Sequence, residues 1–175
     1  MLRNPKRREE KVLKSALRVF GSENFLNDNI LLVNDKKEVF GLSKDLANFI
    51  ERFKLNYFCI GIKLGEVGSR RFRFSLEGTF YLVKKEKKRV YVDEKGEMLF
   101  LYGRDIFARS VVSVTEDVRE NDIVFVCNKS GDILGLGKSR FNSERYNEVD
   151  ENRVVVENLI DRGEYLRKEK LYDAY

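Results

Sequence analysis

The stretch Gly131–Ser139, with the sequence GDILGLGKS, is the part of the chain most similar to a catalytic motif. A phosphate-binding loop requires the pattern G-x-x-x-x-G-K-[ST] between a strand and a helix. Here five residues separate Gly131 from Gly137, and no helix-opening pattern follows directly. The pair Gly131-Asp132 instead favours a hairpin turn that leads into a return strand. We therefore predict that the stretch binds no nucleotide, and that Gly135 and Gly137 let another backbone approach a curved strand closely.

Residue types that commonly perform catalysis are scarce in this sequence. There is no His, which removes the commonest general base and metal ligand. Cys59 and Cys127 each lie in an apolar run, without a CxxC partner or a basic flank that would activate the thiol. Buried, reduced thiols in an intracellular protein are the favoured interpretation, and a disulfide between the two stays open. Since no glycine loop for a dinucleotide or a methyl donor is present, we predict no catalytic residue, no cofactor and no metal site.

The apolar segments of the chain are all short. None approaches the roughly 18 residues that a membrane-spanning helix needs. The N-terminal sequence MLRNPKRREEK is basic but is not followed by the apolar core of a secretory signal. We expect a cytoplasmic protein with no membrane partner.

Basic residues are numerous, but their net excess is small. The formal net charge is +5 over 175 residues, so a site for a polyanion has to come from local clustering. In the second half, basic residues interleave with Tyr102, Phe141, Tyr146 and Tyr165, a pattern typical of surfaces that contact phosphates and stack on unpaired bases. Glutamates interleave there too and dilute any continuous positive stripe. Near the N-terminus, a solvated helix face is favoured over binding for Lys6, Arg7, Arg8, Lys11, Lys14 and Arg18.

Periodicity in the first half predicts alternating helices and strands. Asn4 and Pro5 begin a helix that Gly21 ends. Ser43 caps a second helix, whose apolar side chains at helical spacing are predicted to be core: Leu46, Phe49, Ile50 and Phe53. Strands are predicted at Ile30–Val33, Glu38–Leu42, Tyr57–Leu64 and Arg71–Leu76, with a turn at Gly65–Gly68 and a helix at Glu77–Lys84.

The turn Asp93–Glu97 is the best candidate for a domain boundary. After the strand Val90–Val92, the sequence changes to short β segments separated by close turns, as a small barrel requires. These segments are Met98–Tyr102, Val111–Val114, Ile123–Cys127, Ile133–Gly137 and Val154–Val156, with a short helix at Arg104–Arg109. We predict an α+β protein with domains at 1–93 and 94–175.

The chain resembles the Nip-seven family of large-ribosomal-subunit biogenesis factors over nearly its full length. The second half carries the PUA-domain pattern in Gly103–Ser113, Asn121–Val126 and Ser130–Gly137. The family resemblance rests on three further stretches: Arg71–Phe74 with Tyr81-Leu82, Phe100–Gly103, and Asp161–Arg167.

This resemblance implies a pre-PUA α/β domain with an antiparallel sheet and a C-terminal PUA mixed β-barrel. It implies a non-catalytic, archaeal-type RNA-binding factor in ribosome biogenesis or pre-rRNA processing, with U- or AU-rich single strands as ligands and other assembly proteins as partners. Archaeal members of the family are expected to carry basic residues on the strand 153–160, where this chain keeps Arg153 but has Val154, Glu157 and Ile160. We therefore spread the predicted RNA-binding residues over Arg104, Lys138, Arg140, Arg153, Arg167 and Lys168.

Two other functions stay open at this point. The first half could act as an adaptor that docks onto another assembly protein, with RNA contact incidental. PUA domains also accompany RNA-modifying enzymes, although the first half is short for a catalytic domain.

Overall fold

The computed structural model describes residues 2–53 and 60–168, except for the side chains of Leu166 and Lys168. Contacts divide the chain into two compact units, Met1–Lys85 and Glu86–Tyr175. Cys59 and the start of the predicted strand Tyr57–Leu64 lie outside the described residues. Within the described ranges, no helix has the length and apolar character needed to cross a membrane.

The first unit packs helices on an antiparallel sheet with strand order β1-β2-β3-β4. Its elements are α1 (Arg7–Phe20), α2 (Phe25–Asp28), β1 (Asn29–Val33), β2 (Glu38–Ser43), α3 (Lys44–Phe53), β3 (Ile62–Val67), β4 (Phe72–Phe74) and α4 (Leu76–Leu82). The core forms where apolar side chains of α1 and α4 meet the sheet: Leu13 with Val33, Val39 and Val67, and Leu17 with Leu64 and Leu82. The alternation predicted in β4 is confirmed, since Phe72 and Phe74 are half-buried and Arg73 is exposed.

Helix α1 is held at both ends by local contacts. At its start, the Glu9 carboxylate accepts hydrogen bonds from the backbone N–H of Lys6 at 2.8 Å and from the Arg3 guanidinium at 2.7 and 2.9 Å. These bonds place the cap at Lys6 and the first helical residue at Arg7, so the predicted start at Asn4 and Pro5 is wrong by two residues. At its end, Gly21 adopts φ 75°, as the sequence predicted for a helix-ending glycine.

Replacing Glu9 by Gln is expected to lower the melting temperature at pH 7 by about 5 °C, the usual effect of losing a helix-capping contact. The hydrogen bond from Arg3 lowers the pKa of Glu9 from 4.5 to about 2. A carboxyl group with a lowered folded-state pKa stabilises the fold above pH 4.5 and loses that contribution as the pH falls towards 2. The melting temperatures of the unaltered protein and the variant should therefore converge as the pH is lowered from 7 to 2. A difference in melting temperature that is independent of pH would contradict this role.

The apolar stripe of α3 is not part of the core, contrary to the sequence prediction. Phe49 and Phe53 are each 52% exposed, Leu46 is also exposed, and Ile50 is half-buried. Helical spacing shows that one face is apolar but not which element covers it, and the clusters beneath the sheet are built from α1 and α4 instead. In the same unit, β3 runs through the predicted Gly65–Gly68 turn as far as Val67.

The second unit is a mixed six-stranded sheet that curls into a nearly closed barrel, with strand order β6-β10-β9-β8-β5-β7. Its elements are β5 (Arg89–Val92), α5 (Glu94–Leu101), β6 (Ile106–Phe107), β7 (Val111–Val114), β8 (Ile123–Cys127), β9 (Ile133–Ser139), β10 (Val154–Asp161) and α6 (Glu164–Lys168). β5 and β8 are parallel and the other pairs are antiparallel. The predicted α+β class, with an antiparallel sheet followed by a mixed barrel, is confirmed.

Two predictions around the start of the barrel are wrong. The segment predicted as a turn and a strand is helix α5, because Asp93 caps it by accepting from Gly96 N–H at 2.7 Å and acids occupy its first turn. The predicted helix at Arg104–Arg109 is instead β6 followed by a 3₁₀ turn at Ala108–Ser110. Since β5 pairs with β7 and β8, it belongs to the second sheet; the boundary after residue 93 stays a prediction.

Glycines allow β9 to lie close to β10. A Cβ atom on Gly135 would collide with the carbonyl oxygen of Ile160, and one on Gly137 would collide with the side chain of Val156. The predicted close approach of another backbone is therefore confirmed. Gly131, at φ 89°, forms the hairpin turn before β9, which rules out a phosphate-binding loop followed by a helix.

Candidate nucleic-acid interface

Three of the predicted RNA-binding residues line one cleft of about 310 Å³ in the second unit. Lys138 lies in β9, Arg140 follows that strand, and Arg153 directly precedes β10. Since β9 and β10 are antiparallel neighbours, the end of one strand lies beside the start of the other. The backbone N–H of Arg140 donates to the carbonyl of Val155 at 2.8 Å, which fixes this corner. The cleft is lined by Glu120, Asn121, Lys138, Arg140, Phe141, Arg153, Val154 and Glu157.

Phe141 orients the basic side chains around the cleft. The guanidinium carbon of Arg153 lies 5.7 Å from the centroid of the Phe141 ring, and that of Arg145 lies 5.3 Å from it. A guanidinium over an aromatic face is attracted by the ring quadrupole and keeps its hydrogen-bonding edges free. Arg153 is therefore held in place with its N–H donors available for an incoming phosphate or base.

Two carboxylates share the cleft with the three basic residues. The register of β9 and β10 places Glu157 opposite Lys138, and its carboxylate forms an ion pair with Arg140. Glu120 lies at the edge of the same cleft. Among the described residues, Lys138 and Arg153 have no acidic partner, so they are the two basic residues that can neutralise a phosphate without breaking an ion pair.

Asn121 is a cleft residue that the sequence did not single out as functional. It adopts the left-handed conformation at φ 67°, and its backbone N–H donates to Ser139 O at 2.8 Å. The Asn121-Asp122 pair reads in the sequence only as a turn signal. What brings it to the cleft is the contact with the end of β9, which is remote along the chain.

The other three predicted residues lie outside this cleft. Arg104 is exposed after Gly103, and its side chain contacts no partner within the described ranges. The Arg167 guanidinium donates to both oxygens of Asp161, at 3.0 and 2.9 Å, and to Leu101 O. Lys168 ends α6, and its side chain is outside the described set. The structure thus brings Lys138, Arg140 and Arg153 together in one cleft. Arg104 and Arg167 do not line that cleft.

The described thiol is unsuited to nucleophilic chemistry. Cys127 is free and fully buried, and burial raises its pKa to about 11. A thiol with a raised pKa is almost wholly protonated at neutral pH and is a poor nucleophile. The predicted buried, reduced state is confirmed for Cys127.

Two family models together match most of the chain. The model of the UPF0113 PUA domain matches residues 88–170, and that of the NIP7/UPF0113 pre-PUA domain matches residues 2–76. These matches agree with the two units seen in the fold.

Similar proteins are found in archaea and in eukaryotes. A UPF0113 protein of Archaeoglobus fulgidus is 54% identical over 175 residues, covering 99% of this chain and 98% of its own. The 60S ribosome subunit biogenesis protein NIP7 of Saccharomyces cerevisiae is 28% identical, covering 83% of this chain and 87% of its own. In fold, a conserved PUA domain protein from Thermoplasma acidophilum matches with a TM-score of 0.64 at 17% identity, covering 95% of this chain and 97% of its own. The barrel, the preceding α/β unit and the full-length similarity show that the chain belongs to the NIP7/UPF0113 family of two-domain proteins with a C-terminal PUA domain.

Proposed function

We propose that this protein is a non-catalytic RNA-binding factor in the biogenesis of the large ribosomal subunit, acting in the cytoplasm on pre-rRNA. The observation that supports it most is the cleft where Lys138 and Arg153 lie beside Phe141 and form no ion pair with any acid in the described part of the chain. The relatives named as 60S biogenesis proteins supply the biological setting.

The arrangement of the cleft suits a single strand better than a duplex. Lys138 and Arg153 would contact successive phosphates, while the guanidinium plane of Arg153, supported by Phe141, would stack on an unpaired base. Both interactions are tolerant of sequence, and no step of bond making or breaking is required. Binding and holding the strand is then the whole function of the site.

The test is the salt dependence of binding by the full chain to a uridine-rich single strand of about 20 nucleotides. With roughly four to six phosphates neutralised, log affinity should fall against log salt with a slope of about −3 to −4. The double variant K138A/R153A should reduce the slope by about 1.4 and weaken binding about tenfold at low salt, because two phosphate contacts are lost.

The matched control is K87A/K95A, which removes the same charge from exposed positions of the second unit that lie outside the cleft. It should change binding by less than about twofold. Failure of the unaltered protein to bind any RNA at low ionic strength would overturn the proposed function. An equal loss of RNA affinity in both double variants would show that the cleft is not the RNA-binding site.

A protein-interaction adaptor is the second candidate function, and the exposed apolar side chains of α3 are the observation that favours it. The two candidates differ in their response to RNase. Ribosomal precursors that stay bound to the purified protein after RNase treatment would support the adaptor, whereas release would support RNA binding.

A further inference from the structure

The basic residues are distributed very unevenly between the two units. Met1–Lys85 contains 18 Lys and Arg against 10 Asp and Glu, a formal charge of +8, whereas Glu86–Tyr175 contains 16 against 19, a formal charge of −3. The PUA unit, which holds the cleft, is therefore acidic as a whole. Long-range attraction of a polyanion comes from the summed charge, so it originates in the first unit.

Much of this charge lies along one line of helix α1. Arg7, Lys11, Lys14 and Arg18 follow one another at spacings of four, three and four residues, which places them on one face; we call this line the α1 ridge. All four side chains are exposed, whereas Leu13 and Leu17 of the same helix are buried. At 1.5 Å per residue the ridge is about 16 Å long, enough to follow several consecutive phosphates.

The ridge is not neutralised by neighbouring acids. Lys14 pairs with Glu10 at 2.6 Å, an exposed contact that costs little to exchange for phosphate. Within the described ranges, Arg7, Lys11 and Arg18 make no ion pair, and the two acids of α1 are the exposed Glu10 and the half-buried Glu9. Glu10 is the one acid beside the four basic residues of the ridge, so this face of α1 keeps a clear excess of positive charge.

Exposed aromatic side chains lie at the C-terminal end of the ridge. The backbone N–H groups of Lys84 and Lys85 donate to Phe20 O at 2.9 and 3.1 Å, and Lys85 Nζ donates to Arg18 O at 3.2 Å. Lys84 Nζ in turn lies 5.4 Å from the ring centroid of Phe80, which is 66% exposed and meets the exposed Tyr81 edge to face. Cations followed by uncovered aromatic rings are the combination that holds single-stranded nucleic acid.

We propose that the α1 ridge, together with Phe80 and Tyr81, is a second RNA-binding surface that takes the backbone of a single strand and stacks an unpaired base on Phe80. This rests on the proposed function, since it assigns the same class of ligand to a further site. It gives the basic first unit a direct part in binding and leaves the cleft as a local contact in an otherwise acidic unit.

The decisive variant is R7Q/K11Q/R18Q in the full chain, assayed with the same 20-nucleotide strand. Loss of three phosphate contacts should lower the salt slope by about 2 and weaken binding at low salt by roughly 30-fold or more. The matched control, K36Q/K37Q/R70Q, removes the same charge from exposed turns of the first unit and should have a much smaller effect. F80A/Y81A should weaken binding of the single strand but not of a duplex of equal length, because a duplex offers no unstacked base.

Ultraviolet crosslinking gives an independent readout on the unaltered protein. The surface predicts a crosslinked tryptic peptide covering residues 74–84, which contains both exposed rings. Equal effects of the ridge and control variants, or normal RNA binding by the ridge variant, would overturn this assignment and leave an acidic protein surface as the partner of α1. If the unaltered protein binds RNA and only K138A/R153A weakens it, the proposed function stands and the ridge alone falls.

Discussion

Replacing Arg167 by Ala is expected to lower the melting temperature by about 10 °C, because it leaves a buried carboxylate without its cation. The Asp161 side chain is only 3% exposed and accepts hydrogen bonds from Arg167 and from the Asn158 amide at 3.2 Å. Without the guanidinium, the uncharged Asn158 amide is the remaining hydrogen-bond donor to this carboxylate among the side chains that the structure describes, and a buried charge without its counter-ion is strongly destabilising. Thermal unfolding of the purified variant, followed by circular dichroism, measures the effect.

The control for this variant is R104A, which removes the same charge from an exposed side chain and should leave the melting temperature within about 2 °C of the unaltered value. A second variant, D161N in the R167A background, should recover part of the lost stability, since a neutral amide costs less to bury than a carboxylate. Unchanged melting of R167A would show that Asp161 finds another partner. Reduced RNA binding with full stability would instead make Arg167 an RNA contact.

The same contacts give a structural reason for one of the sequence stretches that carries the family resemblance. In Asp161–Arg167, Gly163 leaves no room for a Cβ because Leu101 O lies against it, and Arg167 reaches back to that same carbonyl and to Asp161. Asn158 donates to Phe100 O at 2.9 Å alongside. The stretch therefore holds the end of β10 and the start of α6 against the end of α5, a role in the fold that its charged composition does not reveal.

How much the sequence could predict depended on how local each determinant is. The hairpin β8–β9 and the strands β1 and β2 were predictable, because alternation and turn residues are read within a few positions. Helix α5 was not, because Gly96 within it suggested a turn, whereas it fits close packing against Ser110 and Val92. The exposure of the α3 stripe depends on which helices pack on the sheet. No local sequence pattern predicts which helices those are.

The cleft illustrates the same limit for function. Lys138, Arg140 and Arg153 were all candidates from their residue types, but only the register of β9 with β10 brings them together and separates them from Arg104. That register depends on Gly135 and Gly137 lying against β10. The charge asymmetry between the units was also hidden, since it emerges only when the unit boundary at Lys85 is known.

A carboxylate within the cleft limits its affinity for phosphate. Glu157 is half-buried, opposite Lys138 across the strand pair, and holds Arg140 in an ion pair. A phosphate entering the cleft has to approach this negative charge and to compete with it for Arg140. The family resemblance leads one to expect basic residues on this strand, so Glu157 is the departure with the most direct electrostatic consequence.

Replacing Glu157 by Gln should therefore tighten binding of the 20-nucleotide single strand about tenfold at low salt and steepen the salt slope by about 0.7, because Arg140 becomes free to contact a phosphate. E157K should increase affinity further, although a lysine opposite Lys138 adds cross-strand repulsion and a slightly lower melting temperature. Fluorescence anisotropy across a salt series measures both quantities, with E151Q as the control that removes an exposed acid from outside the cleft. Tightening by E151Q to the same degree would assign the effect to net charge alone. Unchanged affinity in E157Q with a bound strand would place the phosphates away from Arg140, since a freed guanidinium beside a bound backbone cannot leave the salt dependence as it was.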